Sequence, residues 1–212
     1  MQTFHNLDES KQEQIINAGM RVFAIHGYKK SYMSEIAHLA EVSKSTLFYH
    51  FKTKLDLYLF LLDTAMNEIM DSVNDESVYS EKDFFECVKI ATEHKMQALR
   101  KRPSLMKFLT KFYFETVPEV EPYKLEYLAK SDQMRSRLVF EELDVSKFKE
   151  TVDPKLVMDM LHKWTEGYMA ILDKNADDKT DQEISEFYDQ MIVDFLNILA
   201  MLRINFYKPE YL

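Results

Sequence analysis

The sequence predicts an all-α fold: a three-helix N-terminal helix-turn-helix domain joined by a linking helix to a larger helical domain. Only three glycines and five prolines interrupt 212 residues that are 46% hydrophobic and 30% charged, which leaves little turn material for a protein with many strands. Apolar residues recur at helical spacing, and Ser, Thr, Asp and first-turn proline stand where those patterns begin.

Asp8 or Ser10 can cap a first helix, in which Ile15, Ile16, Val22 and Phe23 recur with Ala18 and Gly19 between them; Gly27 ends it. A second helix, about Met33 to Ala40, buries Ile36, Ala37 and Ala40. Glu41-Val42-Ser43 then turns the chain, and Ser43 caps a third helix through Phe51. Lys52-Thr53-Lys54 opens a fourth. Its run Leu55, Leu57, Tyr58, Phe60, Leu61, Leu62 is apolar on more than one face, as a helix that touches two neighbours must be. Asn74-Asp75-Glu76-Ser77 reads as a loop, and Ser80-x-x-Asp83 as the capping signal of a fifth helix reaching Arg102. A sixth helix runs from Ser104 to Val117 and a seventh to about Leu143. Asp153-Pro154 places proline at a first helical position and opens an eighth to about Asn175; Thr180-x-x-Glu183 caps a ninth that runs to Tyr207. The expectation is nine helices in two domains, residues 1–53 and 54–212, with 54–72 as the linking helix.

The first residues lack the basic and apolar regions of a signal peptide, and no stretch of about 18 uncharged apolar residues occurs, so a cytoplasmic location is expected. Cys87 is the single cysteine, which excludes an intrachain disulfide and a multi-cysteine zinc site; it reads as a small buried side chain. The net charge of −9 is uneven. Residues 1–56 carry seven basic against six acidic side chains, leaving −10 for the remainder, and the five lysines between positions 29 and 54 face only Glu35 and Glu41. Charge permits nucleic-acid contact at one end of the chain only.

Two short helices joined by a tight turn, the second opening on small hydroxyl residues, suit a major-groove reader. Ser43, Lys44, Ser45 and Thr46 sit at a helix start, where free N–H groups favour phosphate and short polar side chains can meet base edges. Tyr49 and His50, one turn on, can bond phosphate oxygens, and Lys54 adds a further cation. The same pattern occurs in any bundle with a short polar helix. The longer string is more specific: Phe23-x3-Gly27-Tyr28, Ser34-Glu-Ile-Ala37 and Val42-Ser-Lys-Ser-Thr-Leu-Phe-Tyr-His-Phe-Lys-Thr-Lys54 closely resemble the N-terminal domain of the TetR/AcrR family of transcriptional regulators.

The resemblance covers residues 8–60 in detail and the rest in architecture only. It implies a two-fold dimer on inverted-repeat DNA, with DNA contacts from Ser34, Ser43, Lys44, Ser45, Thr46, Phe48, Tyr49, His50 and Lys54. Tyr32 and Met33 stand where members often carry Ser or Thr, Ser45 replaces a frequent glycine, and Phe48 a frequent tyrosine. Glu41 replaces the glycine of the usual turn, so a non-glycine residue must take a conformation glycine tolerates more readily. For the larger domain the resemblance implies a small-molecule effector site and the dimer interface.

Methionine, leucine and aromatic side chains at Met96, Leu99, Phe108, Phe112, Met134, Phe140, Trp164 and Tyr168 can line an adaptable cavity for an apolar or aromatic molecule, or can be plain core. Leu156, Met160, Leu161, Trp164 and Ile171 on the eighth helix, with Ile184, Phe187, Met191, Phe195, Ile198 and Leu202 on the ninth, exceed the needs of one monomer core and predict a homodimer through helices 8 and 9. Glu35-x-x-His38 has the spacing of a di-iron carboxylate motif but lacks the second copy that chemistry requires. Asp159-x-x-His162 is only a loose relative. No Gly-rich phosphate loop or G-x-S-x-G turn occurs. Neither catalysis, cofactor nor metal is expected. A dimeric ligand-binding or scaffold protein without DNA binding is the competing reading.

Overall fold

The most locally specified elements are the helix starts. In the computed structural model, which describes residues 4–175 and 180–212, Asp8 caps α1 (Glu9–Lys30) by accepting the Lys11 N–H at 2.9 Å. Gly27, with φ 66° and ψ 175°, breaks that helix where the sequence places its end. After α2 (Met33–Leu39) and α3 (Lys44–His50), the helix α4 (Lys54–Val73) begins with a reciprocal cap: Asp56 N–H donates to Thr53 Oγ1 at 3.0 Å, and Thr53 N–H to Asp56 Oδ2 at 2.9 Å. α9 (Pro154–Asn175) starts on its proline. α10 (Asp181–Phe206) starts with Thr180 and Glu183 capping one another's backbone, as the Thr180-x-x-Glu183 pattern predicts.

Between these the structure corrects the sequence reading. The described residues form ten α-helices rather than nine, because Glu76–Ser80, within and beyond the expected loop, is a short helix, α5. Asp75 caps it by accepting the Ser77 N–H at 2.9 Å. Five residues carry no periodicity to read. Ser80 therefore ends α5 and does not cap α6 (Phe84–Lys101); Asp83 does, accepting the Glu86 N–H at 3.1 Å. α7 (Pro103–Phe114) stops three residues before Val117, where the Glu115 side chain takes the Thr116 and Val117 N–H groups. α8 (Glu121–Arg137) ends six residues before Leu143, and the wider turn Leu138–Glu142 follows it.

The chain divides into two compact units. The first joins residues 1–68 to 102–124; the second joins 69–101 to 125–212. α7 thus belongs with the N-terminal helices, packed along α1. Aromatic burial explains this: Phe108 and Phe112, both fully buried, meet Tyr58 with ring centroids 5.3 and 6.4 Å apart, and Phe108 meets Phe23 at 6.2 Å. Each such ring contributes about 1.5–3 kcal/mol on removal from water. Gly19 lets α1 approach α4, since a Cβ there would come 2.5 Å from Leu61 Cδ1. Arg102 ties α1, α4 and the start of α7 together through Glu13 at 3.0 Å and Glu68 at 2.9 Å.

In the second unit Phe84, Phe85, Phe148 and Tyr207 form a knot with ring centroids 5.0–5.6 Å apart, around which Val139, Val157, Leu161, Phe195, Leu199 and Leu202 are buried. Cys87 lies in this core, as expected, and burial pushes its thiol pKa up to about 11. Asp83 stands beside the knot, paired to Lys147 at 2.9 Å and Arg203 at 3.5 Å. No helix among the described residues is long and apolar enough to cross a membrane.

Candidate nucleic-acid interface

α2, the turn after it and α3 form the helix-turn-helix. Ile36 and Ala37 anchor α2, and Leu47 and Phe51 anchor α3; all four are buried, so the opposite faces must point outward. The turn is closed by Glu41 N–H to His38 O at 3.1 Å and Val42 N–H to Ala37 O at 2.9 Å. Glu41 carries φ 54°, the left-handed conformation that the missing glycine implied. Ser43 caps α3: its Oγ accepts the Thr46 N–H at 2.9 Å and lies 2.8 Å from Ser45 Oγ and 2.7 Å from Thr46 Oγ1.

The exposed side of this module presents Ser34 on α2 and Ser43, Lys44, Ser45, Phe48 and Tyr49 on α3. Tyr49 is 69% exposed, and Lys44 Nζ lies 5.7 Å from the Phe48 ring one turn away. Thr46 and His50 are half-buried. His50 sits with its ring 5.1 Å from Tyr49 and 6.0 Å from the buried Phe4, and burial lowers its pKa, so the neutral imidazole dominates at neutral pH.

Lys54 is placed differently from the others. Its ammonium donates to Tyr28 O at 2.8 Å, Ser31 O at 3.3 Å and Lys29 O at 3.4 Å, and lies 4.4 Å over the Tyr28 ring. It closes the end of α1, where carbonyls lack helical partners. The pull of those carbonyls comes from residues some 25 positions upstream, which no local pattern reveals. Exposed cations that the sequence contact set omits, Lys29, Lys30 and Lys52, carry charge on this unit, as does the open ring of Tyr32, 68% exposed. The lysine count had shown the former; only folding shows that they remain exposed. Glu35 pairs with His26 at 3.1 Å rather than with His38, and no metal-holding group occurs among the described residues.

The residues read as a possible effector lining fall in two places. Phe108 and Phe112 are core of the first unit. Met96 and Leu99 are buried in the second, where Trp164 and Tyr168 are half-buried, with their rings 4.5 Å apart, and Met134 is exposed. Phe140's side chain lies outside the described residues. The Tyr168 hydroxyl donates to Asp194, and Trp164 continues the ring contact to Phe195 at 5.5 Å. On the last two helices Leu161, Ile184, Met191, Phe195 and Leu202 are buried within the unit and Trp164, Phe187 and Ile198 half-buried, whereas Leu156, Met160 and Ile171 are exposed. α10 also exposes Val193, Met201 and Ile204, which spacing alone had not singled out.

Residues 15–60 match the family described as bacterial regulatory proteins, tetR family. A stretch of 65 residues, 31% of this chain, is 37% identical to the HTH-type transcriptional activator FasR of Mycolicibacterium smegmatis and covers 30% of that protein. The chain thus matches about a third of the length of the curated relatives it aligns with. The fold is similar to that of the fatty acid degradation regulator FadR from Bacillus halodurans (TM-score 0.67, 21% identity, 88% of this chain and 96% of that one). It is also similar to FadR from Bacillus subtilis, solved in complex with stearoyl-CoA (TM-score 0.66, 21% identity, 90% and 96%). These are regulators of transcription, not enzymes.

Proposed function

We propose that this chain, whose residues 15–60 match the tetR family of bacterial regulatory proteins, is a cytoplasmic repressor of that family that binds an inverted-repeat operator as a homodimer and is released by an apolar effector. The observation that carries the DNA reading is the exposed face of α3: Lys44, Ser45 and Tyr49 point away from the Leu47–Phe51 anchor, at a helix start already closed by Ser43. Residues 1–53 read DNA and 54–212 form the effector-binding and dimerisation part, with 54–72 linking them. Ser34, Ser43, Lys44, Ser45, Thr46, Phe48, Tyr49 and His50 form the contact set; Lys54 acts chiefly by fixing the end of α1. Two such α3 helices about 34 Å apart would enter successive major grooves.

Dimerisation is assigned to α9 and α10. Leu156, Met160 and Ile171 with Val193, Met201 and Ile204 are the apolar side chains these helices leave exposed, and a second copy would cover them. We read the effector as a fatty-acyl molecule, in keeping with the fatty acid and stearoyl-CoA named for the similar proteins, with Met96, Leu99, Met134, Trp164 and Tyr168 as its candidate contacts. Because α4 is one helix with residues in both units, a tilt of it on effector binding would change the separation of the reading helices. Selection from random duplex DNA tests the proposal. Enrichment of an inverted repeat whose binding the effector weakens supports it; enrichment of no sequence overturns it, and tighter binding with effector overturns the sign.

A further inference from the structure

We propose that Glu115, on the segment that follows α7, is a positioning residue for DNA reading: its carboxylate locks the bend between α1 and α2, and with it the angle at which the helix-turn-helix meets DNA; the inference rests on the DNA reading above. Gly27, at φ 66°, interrupts α1 within its last turn, and the Tyr28 N–H that follows the interruption donates to Glu115 Oε2 at 3.0 Å. Glycine reaches that conformation and others at little cost, so the bend is not fixed by its own backbone. A partner from outside the helix has to choose among them. A Cβ at Gly27 would come 3.6 Å from the same Glu115 oxygen, which therefore stands directly against the bend.

The carboxylate is itself held in place. Its Oε1 accepts the Thr116 N–H at 3.0 Å and the Val117 N–H at 3.2 Å, and the Glu115 carbonyl accepts from the largely buried Lys124 ammonium, which Glu121 also pairs at 2.8 Å. An acceptor fixed before it meets Tyr28 loses little freedom in doing so. Past the bend, the carbonyls of Tyr28, Lys29 and Ser31 go to Lys54, and the Ser31 hydroxyl donates to Gly27 O at 2.6 Å. Only Ser31 and Tyr32 separate the end of α1 from α2, and Tyr32 gives α2 no side-chain cap. A rotation at Tyr28 passes to α2 and α3 with little chain to absorb it. The Tyr28 ring is held separately, with centroids 6.3 Å from Phe23 and 5.0 Å from Tyr58, so loss of the Glu115 contact leaves the aromatic core in place and frees the direction of the reading helix. Base readout needs side chains placed to within about 0.5 Å. Attraction to phosphate carries no sequence information and tolerates more.

The test compares the full chain, Glu115→Ala and Arg102→Ala on the inverted-repeat duplex enriched from random DNA and on a duplex of the same composition in scrambled order, at one salt concentration and below each protein's melting temperature. In Glu115→Ala the preference for the repeat should fall about tenfold or more, while affinity for the scrambled duplex stays within about twofold. The Tyr28 amide should exchange with solvent about tenfold or more faster, and that of Ile15, on the same helix, at its former rate. Arg102→Ala, which loses ion pairs and leaves the bend intact, should keep the preference even where its melting temperature falls as far. A preference unaltered in Glu115→Ala, or lost equally in Arg102→Ala, overturns the role of Glu115 and leaves the DNA reading standing. If the full chain selects no sequence from random DNA, the DNA reading falls and the role of Glu115 with it. Should Glu115→Ala not fold, Glu115→Gln replaces it: one amide oxygen then faces three N–H donors, so the preference should fall about threefold, and no fall overturns the role.

Discussion

The two units differ in how completely their buried charge is partnered. In the first, each deeply placed cation is satisfied from within: Arg102 by Glu13 and Glu68, Lys54 by three carbonyls, Lys124 by Glu121 at 2.8 Å and the Glu115 carbonyl. In the second, Asp83 is paired to Lys147 and Arg203, whereas Arg135 keeps a buried Nε–H that meets no acceptor among the described residues. A fully partnered interior holds one geometry, which a DNA reader needs. An incompletely partnered one leaves polar groups for something else to meet. The difference between the units lies in hydrogen-bond partnering rather than in helix content.

The comparison is broken most directly at the anchor of the reading helix. Leu47→Ala should destabilise the first unit by about 2–5 kcal/mol, seen in chemical denaturation, because Leu47 is fully buried and its truncation leaves a cavity. A loss below about 1 kcal/mol would mean that α3 is loosely held. Next in size, Arg102→Ala should cost about 1–3 kcal/mol by leaving the Glu68 carboxylate without its partner; a neutral result would place this guanidinium with ordinary surface ion pairs.

In the second unit the effect is a pH dependence. His162 is held near 4, below its ordinary 6.5, chiefly by burial and then by the cations Arg135, Lys163 and Lys95. Between those pH values the unfolded chain binds a proton that the folded chain refuses. The histidine's contribution is therefore present above pH 6.5 and is lost as pH falls toward 4. Thermal melts should slope down through that window, and His162→Gln should flatten the slope; an identical slope in the variant would place the titration elsewhere. The smallest effect is Glu41→Gly, expected to stabilise by about 1 kcal/mol or less, since glycine meets φ 54° without strain but loses more entropy on folding.

These cases also show what the sequence makes legible. The strained turn at Glu41, the break at Gly27 and the caps at Asp8, Pro154 and Thr180 were readable because each is decided by residues within four positions. α3 and its Ser43 cap were legible for the same reason, reinforced by a long motif. What escaped depends on distant chain segments. α7 joins the first unit because Phe108 and Phe112 find Tyr58 and Phe23, so two residues read as possible effector contacts are core there. Lys54 turns to carbonyls from the end of α1. Glu115 meets the Tyr28 N–H across 87 positions, and nothing local sets them together. Apolar spacing on α9 and α10 did not separate Leu161, which is buried within the unit, from Met160, which is exposed.

In the proposed function the outward face of α3 reads DNA while the fold beneath it stays fixed. The most direct measurement is the affinity of Lys44→Ala for the selected inverted-repeat duplex as a function of salt, alongside the unaltered chain and with the melting temperature of both. We expect affinity to fall about tenfold or more at unchanged melting temperature. If Lys44 meets phosphate, the log–log salt slope should flatten by about 0.9 for each lysine lost; if it meets a base, discrimination at one position should relax. Operator affinity, salt slope and sequence preference all equal to those of the unaltered chain would contradict the claim.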